Sequence, residues 1–264
     1  MRFVKKMNNG DKMSIFSKHG FRIIDLLSEK KHEIISQSIK KKINERLKIV
    51  TDNCYYLSDL KDYHKLNLTD DVHKQIVNAS CRHLDFNDFI DDIKKNNSIK
   101  KILDECWGHH EFRLIWVGDL MNDTIKENYC TFRLARPSVY QDVGGIHLDK
   151  HVGGIKNLGE KNLLTLWIPI VGFDEHYTLK FAPESHQHVH PDNFIEEDKN
   201  YISMTYDDDY TDNFKYSRPK LKLGQGVIFD PNLLHGGSYN LGVDTRVSIE
   251  LRLFNTETKY VFDS

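Results

Sequence analysis

The 264-residue chain is predicted to be an α+β protein. Its core is expected to be a double-stranded β-helix, a jelly roll of cupin-like form, with an N-terminal helical region packed on the larger sheet. Three observations predict this. Before about residue 110 apolar residues recur at helical spacing; after it, short β-rich runs alternate with Gly, Asn, Asp and Pro clusters; and no internal repeat marks a solenoid or array. Many short antiparallel strands behind a helical preface suit two packed sheets backed by helices. The chain is read as one domain, 1–264, in which 1–110 is mainly helical and 111–264 forms the core.

The elements follow in order. Ile35, Ile39, Ile43 and Leu47 share one stripe of a Lys- and Glu-rich segment, the mark of an amphipathic helix. Asp70 to Cys106 reads as one or two further helices, broken around Asn87 and Asn96-Asn97. Expected strands are Phe112–Val117, Tyr129–Leu134, Leu163–Val171, Tyr177–Ala182, Leu221–Phe229 and Thr245–Phe254. The stretch from His186 to Pro219 is long, polar and acidic, with Asp207, Asp208 and Asp209 in a row. Loops of that length are functional or disordered, so a substrate lid and a solvated excursion both fit.

Bulk properties narrow the function. A 39% hydrophobic and 29% charged composition is that of an ordinary soluble globular protein. The formal net charge of −2 argues against a polyanion-binding surface, so no nucleic-acid partner is expected. No apolar run of about 18 residues exists to span a membrane, and no membrane partner is expected. Met1 to Ile15 mixes Lys, Asn and Asp and lacks the apolar core of a secretory signal, so a cytoplasmic location is expected. Cys54, Cys81, Cys106 and Cys130 form no Cys-X-X-Cys pair, which suits scattered reduced thiols. Oligomeric state stays open, because apolar surface patches are visible only on a fold.

The chemistry concentrates in His147-Leu148-Asp149 and the distant His235. At a strand end, His147 and Asp149 are two apart and project from one face. A third ligand from another strand closes the triangle. Two imidazoles and one carboxylate on one side of a metal, with positions left open, are diagnostic of non-haem Fe(II) oxygenases; catalytic zinc also takes three protein ligands but keeps one place for water. His-X-Asp by itself is weak evidence in a chain with fourteen His, where a hydrogen-bonded histidine is the ordinary alternative. The stretch "LKLGQGVIFDPNLLHGGSYNLGVDTRVSIELRLF" strengthens it. It sets His235 just after a strand and turn, then Arg246 on the next strand, with Ser248 on the same face. A buried Arg there calls for an anion, and its planar fork matches a carboxylate; an exposed charge on an edge strand is the competing reading.

From about Tyr129 to Phe254 the chain resembles the phytanoyl-CoA dioxygenase family of 2-oxoglutarate oxygenases. The resemblance is carried by "GGIHLDK", "LLTLWIPI", "LKFAPESHQ", "LGQGVIFDPNLLHGG" and "NLGVDTRVSIELRLF". Pro183-Glu184-Ser185-His186 departs from the family's Pro-Gly-Ser-His at a turn. The resemblance implies a jelly-roll core with Fe(II) held by His147, Asp149 and His235. It also implies that Arg246 and Ser248 bind the distal carboxylate of the cosubstrate 2-oxoglutarate, and that O2 is the oxidant. Thr165 and Trp167 are candidates to line the cosubstrate pocket, and Arg133 to join them, with Thr131 beside it on the same face. For Arg133 and Trp167, a surface ion pair and ordinary packing compete with that role. Lys150 and His151 follow Asp149 at the rim of the site and are candidate substrate contacts, as loop residues beside a site often are.

His186, His188 and His190 alternate but are read as a turn histidine and the start of the polar loop, not as a second metal site. The implied activity is hydroxylation of a small polar metabolite, such as an amino acid, a sugar or a natural-product intermediate, with release of succinate and CO2. The carboxylate at Asp149 favours hydroxylation over halogenation, where a small residue opens that position to chloride. Two other classes stay open: a jelly-roll binding protein without turnover, and a metal-dependent hydrolase or isomerase on a cupin-like barrel.

Overall fold

The computed structural model describes residue 16 and residues 19–52, 54–77, 84, 87–114, 130–150, 161–174, 178–191, 195–198, 203–236 and 239–258. The first helix, α1 (Glu29–Val50), begins where the Ser28 side chain accepts from the Lys31 N–H. Its buried stripe is His32, Ile35, Ile39, Ile43 and Leu47. Thr51 closes it, with its backbone N–H and its hydroxyl both donating to the Leu47 carbonyl. Next come a 3-10 turn at Leu60–Leu66, α2 (Asp70–Val77), α3 (Asn87–Lys95) and α4 (Asn97–Trp107). The break between the last two is chemical. The Asn96 side chain caps α4 by accepting from the Ser98 and Ile99 N–H groups, and Gly108, at φ 82°, ends it. The sequence reads as one or two helices here; the described residues form three, with the break at Asn96 where it is expected.

These helices cover one face of a six-stranded antiparallel sheet. Its strands are β1 (Phe21–Asp25), β2 (Phe112–Leu114), β3 (Thr131–Ala135), β4 (Leu163–Val171), β8 (Gln225–Phe229) and β10 (Arg246–Asn255). The order is β1-β8-β4-β10-β2, with β3 pairing farther along β10. β4 spans the residues expected for it. The N-terminal region is not wholly helical, however. β1 lies within it and pairs with β8, Phe21 opposite Phe229.

Alternation along β4 and β10 divides the core. Leu164, Leu166, Ile168 and Ile170, with Val247, Ile249, Leu251 and Leu253, pack against the helices in one cluster. His32 of α1 ties the layers together through a 2.7 Å hydrogen bond between its Nε2 and the Ile170 carbonyl. The other face presents Thr165 and Trp167 from β4 and Arg246, Ser248, Glu250 and Arg252 from β10. A register shift against β4 falls where Ser248 faces Pro169 and Val247 faces Val171. Proline has no ladder N–H, so an irregularity there loses little pairing.

Over that second face lie short pairs: β5 (Lys180–Phe181) with β9 (His235–Gly236), and β6 (Ile195–Asp198) with β7 (Ser203–Tyr206). Bridges His147↔His235 and Phe181↔Ser217 widen the first pair, and the Tyr206 N–H donates to the Ile146 carbonyl to join the second. Both strands of the β6–β7 pair, and a short helix α5 (Asp208–Thr211), fall inside 186–219, where the sequence predicts a long polar loop. Trp167, Phe181, Val227, Phe229 and Leu233 fill the space between the layers. Ile146, Leu148, Ala182, Tyr206, Tyr210 and Leu234 form a further cluster on the outer side of the short strands. The architecture is therefore mixed helix and antiparallel sheet. Among the described residues no helix is long and apolar enough to cross a membrane. Among the described residues Cys54, Cys106 and Cys130 form no disulfide; Cys81 lies outside the described residues.

Candidate metal centre

His147 and His235 meet because their backbones form a closed bridge, with reciprocal N–H to carbonyl bonds of 2.9 and 3.1 Å. Close approach of these segments requires Gly236. A Cβ there would lie 3.0 Å from the Gly145 carbonyl oxygen and 2.8 Å from Ile146. The two imidazoles are 4.3 Å apart between centroids. Each ring is oriented from behind: Nδ1 of His147 is 2.9 Å from the Gly145 carbonyl and Nδ1 of His235 is 2.9 Å from that of Leu233. A carbonyl can only accept, so Nδ1 carries the proton in each ring and Nε2 keeps its lone pair. Burial, then the adjacent His235, pushes the His147 pKa down to about 4, which keeps the ring neutral near pH 7.

Asp149 is buried between them. Its Oδ1 is 3.9 Å from His147 Nε2 and its Oδ2 is 3.8 Å from His235 Nε2. Ligand atoms of the three side chains all lie within 4.8 Å of one another. The 3.8 and 3.9 Å gaps are too wide for hydrogen bonds. They are within the span of two bonds of about 2.1 Å each to a shared ion. Neutral nitrogen donors and one carboxylate aimed at a common point fit a divalent transition metal.

The carboxylate is held as firmly as the rings. Arg252 donates from Nη2 to Asp149 Oδ1 at 3.0 Å, and the Thr165 hydroxyl donates to Oδ2. Burial works to raise the Asp149 pKa, but Arg252 and the neighbouring imidazoles outweigh it and hold the group well below the usual carboxylate range. The network continues outward. Arg252 Nη2 lies 3.2 Å from Glu250 Oε1, and Arg133 forks onto Glu250 at 2.7 and 3.2 Å. Burial opposes ionisation of Glu250 as well, and Arg133 and Arg252 override it to lower its pKa.

The structure brings His147, Asp149, His235 and Thr165 into one cluster. Thr165, expected beside the cosubstrate, here supports the aspartate. Arg246 and Ser248 are 5% and 3% exposed, and Val247 between them points into the helical core, so both project from the face that carries Arg252. Trp167 packs in the cluster between the layers. Arg133 and Thr131 face Ser248 and Glu250 in register, and the Arg133 fork is occupied by Glu250. Lys150 is half-buried beside Asp149, with its N–H donating to the Pro231 carbonyl at 3.2 Å. His151 lies outside the described residues. Sequence reasoning missed Arg252 and Glu250. The signal was present, since Arg246, Ser248, Glu250 and Arg252 form one two-residue series along the strand. His186 and His190 are buried away from this cluster, and His190 bonds to Tyr210 and the Ser185 carbonyl.

No family model matches the sequence, and no curated protein matches it. Solved structures do. EctD from S. alaskensis, solved with 2-oxoglutarate and 5-hydroxyectoine, is 13% identical, with a TM-score of 0.57 over 98% of this chain and 82% of that one. EvdO2 from Micromonospora carbonacea var. aurantiaca, complexed with 2-oxoglutarate, is 15% identical, with a TM-score of 0.51 over 100% of this chain and 96% of that one. SnoK, a non-heme alpha-ketoglutarate-dependent carbocyclase from nogalamycin biosynthesis, is 12% identical, with a TM-score of 0.51 over 99% and 89%. At this identity the likeness is one of fold, and it runs along nearly the whole chain.

Proposed function

We propose that this chain is an Fe(II)- and 2-oxoglutarate-dependent oxygenase of the phytanoyl-CoA dioxygenase type, on a double-stranded β-helix, that hydroxylates a small polar metabolite. The observation that carries the reading is the His147–Asp149–His235 cluster, with both imidazole Nε2 atoms free to ligate. Fold likeness to proteins solved with 2-oxoglutarate supports it. Iron bound at the cluster would supply activation of O2 coupled to decarboxylation of 2-oxoglutarate to succinate and CO2.

The chain's own residues do the rest. His147 and His235 hold the metal in fixed tautomers, and Arg252 and Thr165 keep Asp149 ionised and oriented, as outer partners of metal ligands do. Arg246 and Ser248, buried on the same face, grip the distal carboxylate with a fork and a hydroxyl. Trp167, Phe181 and Phe229 wall off water on one side. Thr131, Lys150 and His151 are the proposed substrate contacts, and Arg133 is anchored to Glu250. The location proposed for this activity is the cytoplasm.

The test is succinate release by purified protein with Fe(II), 2-oxoglutarate and O2, screened against amino acids, sugars and natural-product intermediates. Turnover that needs all three and disappears in His235→Ala supports the proposal. Turnover without O2, or none with any compound, contradicts it.

A further inference from the structure

A second cluster of charge lies on the opposite side of the short strands from His235. The Phe181 and Ser217 backbones form a closed pair, with reciprocal N–H to carbonyl bonds of 2.9 and 2.8 Å. One step along that antiparallel register sets Lys180 opposite Arg218. The pair is a non-hydrogen-bonded one, where facing side chains come closest. Two like charges in that position repel. Both residues are half-buried, and burial acts to lower both pKa values.

Among the described residues neither cation has an ion-pair partner. Arg218 spends Nη1 on the Thr178 carbonyl at 2.8 Å. Lys180 Nζ sits 4.9 Å from the centroid of the Tyr216 ring. Asp208 and Asp212 favour the Lys180 ammonium from a distance, each less strongly than Arg218 disfavours it. Tyr216, two residues from Arg218, packs with Ala182 and Tyr210 on this outer side, and its hydroxyl is buried without a hydrogen-bond partner. A buried hydroxyl with no partner costs free energy, as does a half-buried cation with no counter-charge.

We propose that Lys180, Arg218 and Tyr216 form a phosphoryl-binding site separate from the metal centre. A phosphate dianion cancels two positive charges where a carboxylate cancels one, and it has oxygens enough for the remaining Arg218 fork, the ammonium and the phenol. Lys180 is also opposite Gly236, the neighbour of His235, so the site backs directly onto the strand that carries a proposed metal ligand. The inference stands whether or not the centre holds iron.

Inorganic phosphate is the probe, titrated into the full chain and followed by thermal unfolding and calorimetry. Sodium chloride at matched ionic strength and sodium acetate are the controls. Phosphate at about 100 times its dissociation constant raises Tm by about 5 °C, and acetate does much less. Lys180→Gln, Arg218→Gln and Tyr216→Phe each weaken phosphate binding by about tenfold or more. Arg246→Ala leaves it unchanged. Without phosphate, the Lys180→Gln variant is as stable as the parent or more so, because it relieves the repulsion and leaves the Arg218 bond to the Thr178 carbonyl in place. The proposal is overturned by a response that only follows ionic strength, by one undiminished in both Gln variants, or by one lost in Arg246→Ala. It is equally overturned if Lys180→Gln is destabilised in phosphate-free buffer, since that means the ammonium is already balanced within the protein.

Discussion

Thr165→Val tests the support behind the aspartate. Thr165 is 1% exposed on β4, opposite Arg252 in register, and its hydroxyl donates to Asp149 Oδ2. Valine keeps the branched shape and suits a strand, so the sheet is expected to survive the change. What is lost is one hydrogen bond to a charged group, worth about 1.5–3 kcal/mol. If that energy orients Asp149 toward the ion, metal affinity falls by the same amount. At about 1.4 kcal/mol per decade this is roughly 10- to 150-fold, which agrees with the roughly 10- to 100-fold typical for outer partners of metal ligands. The assay is anaerobic calorimetric titration of Fe(II), with Mn(II) as a redox-silent check, on the parent and on Thr165→Val and Thr165→Ser. Serine should restore most of the affinity. The reasoning is refuted if valine leaves metal affinity intact and weakens only 2-oxoglutarate binding, because Thr165 would then act on the cosubstrate instead.

Three further outcomes are expected. Arg246→Ala, by removing the proposed bidentate grip, is expected to raise the 2-oxoglutarate KM by about 100-fold or more with iron content unchanged; loss of iron together with the cosubstrate would count against that assignment. Gly172→Ala is destabilised by about 2 kcal/mol or more in urea unfolding, since Gly172 has φ 66° and a Cβ would meet the Thr245 carbonyl oxygen at 2.1 Å; an unchanged midpoint would show that the turn into β10 can relax. The third concerns acid stability. Burial lowers the His73 pKa to about 4, against Asp142, while Arg136 also lowers it and Asp70 raises it. The unfolded chain, with a His pKa near 6.5, binds the extra proton first. Stability contributed by neutral His73 is therefore full above about pH 6.5 and is lost as pH falls toward 4, by about 3 kcal/mol in all. His73→Gln should flatten that part of a pH–stability curve by close to one proton, and an unaltered slope would contradict it.

The elements most legible in sequence were those in which one periodicity dominates. Ile35, Ile39, Ile43 and Leu47 mark α1 because each faces the sheet. β4 stood out as an apolar run because its core strand is buried on both faces. β1 did not, since five residues after a glycine carry too little pattern and only pairing with β8 makes them a strand. The β6–β7 pair was hidden because its strands are only four residues each and its anchor at the Ile146 carbonyl is tertiary. At the site, the three residues that cluster, His147, Asp149 and His235, could be singled out from spacing and resemblance, but side-chain partners could not. Whether Arg133 would meet an anion of the protein or of a ligand depends on Glu250 lying beside it across β3 and β10, which no spacing rule reports. The role of Arg252 likewise depends on a contact with Asp149 across 103 positions.

In the proposed mechanism the metal is in place before the cosubstrate binds. Anaerobic titration of 2-oxoglutarate into the protein with and without one equivalent of Fe(II) tests it directly. The expected result is single-site binding that depends on iron and vanishes in His147→Ala and His235→Ala. Equal binding without iron, or iron-dependent binding that survives both substitutions, would contradict it.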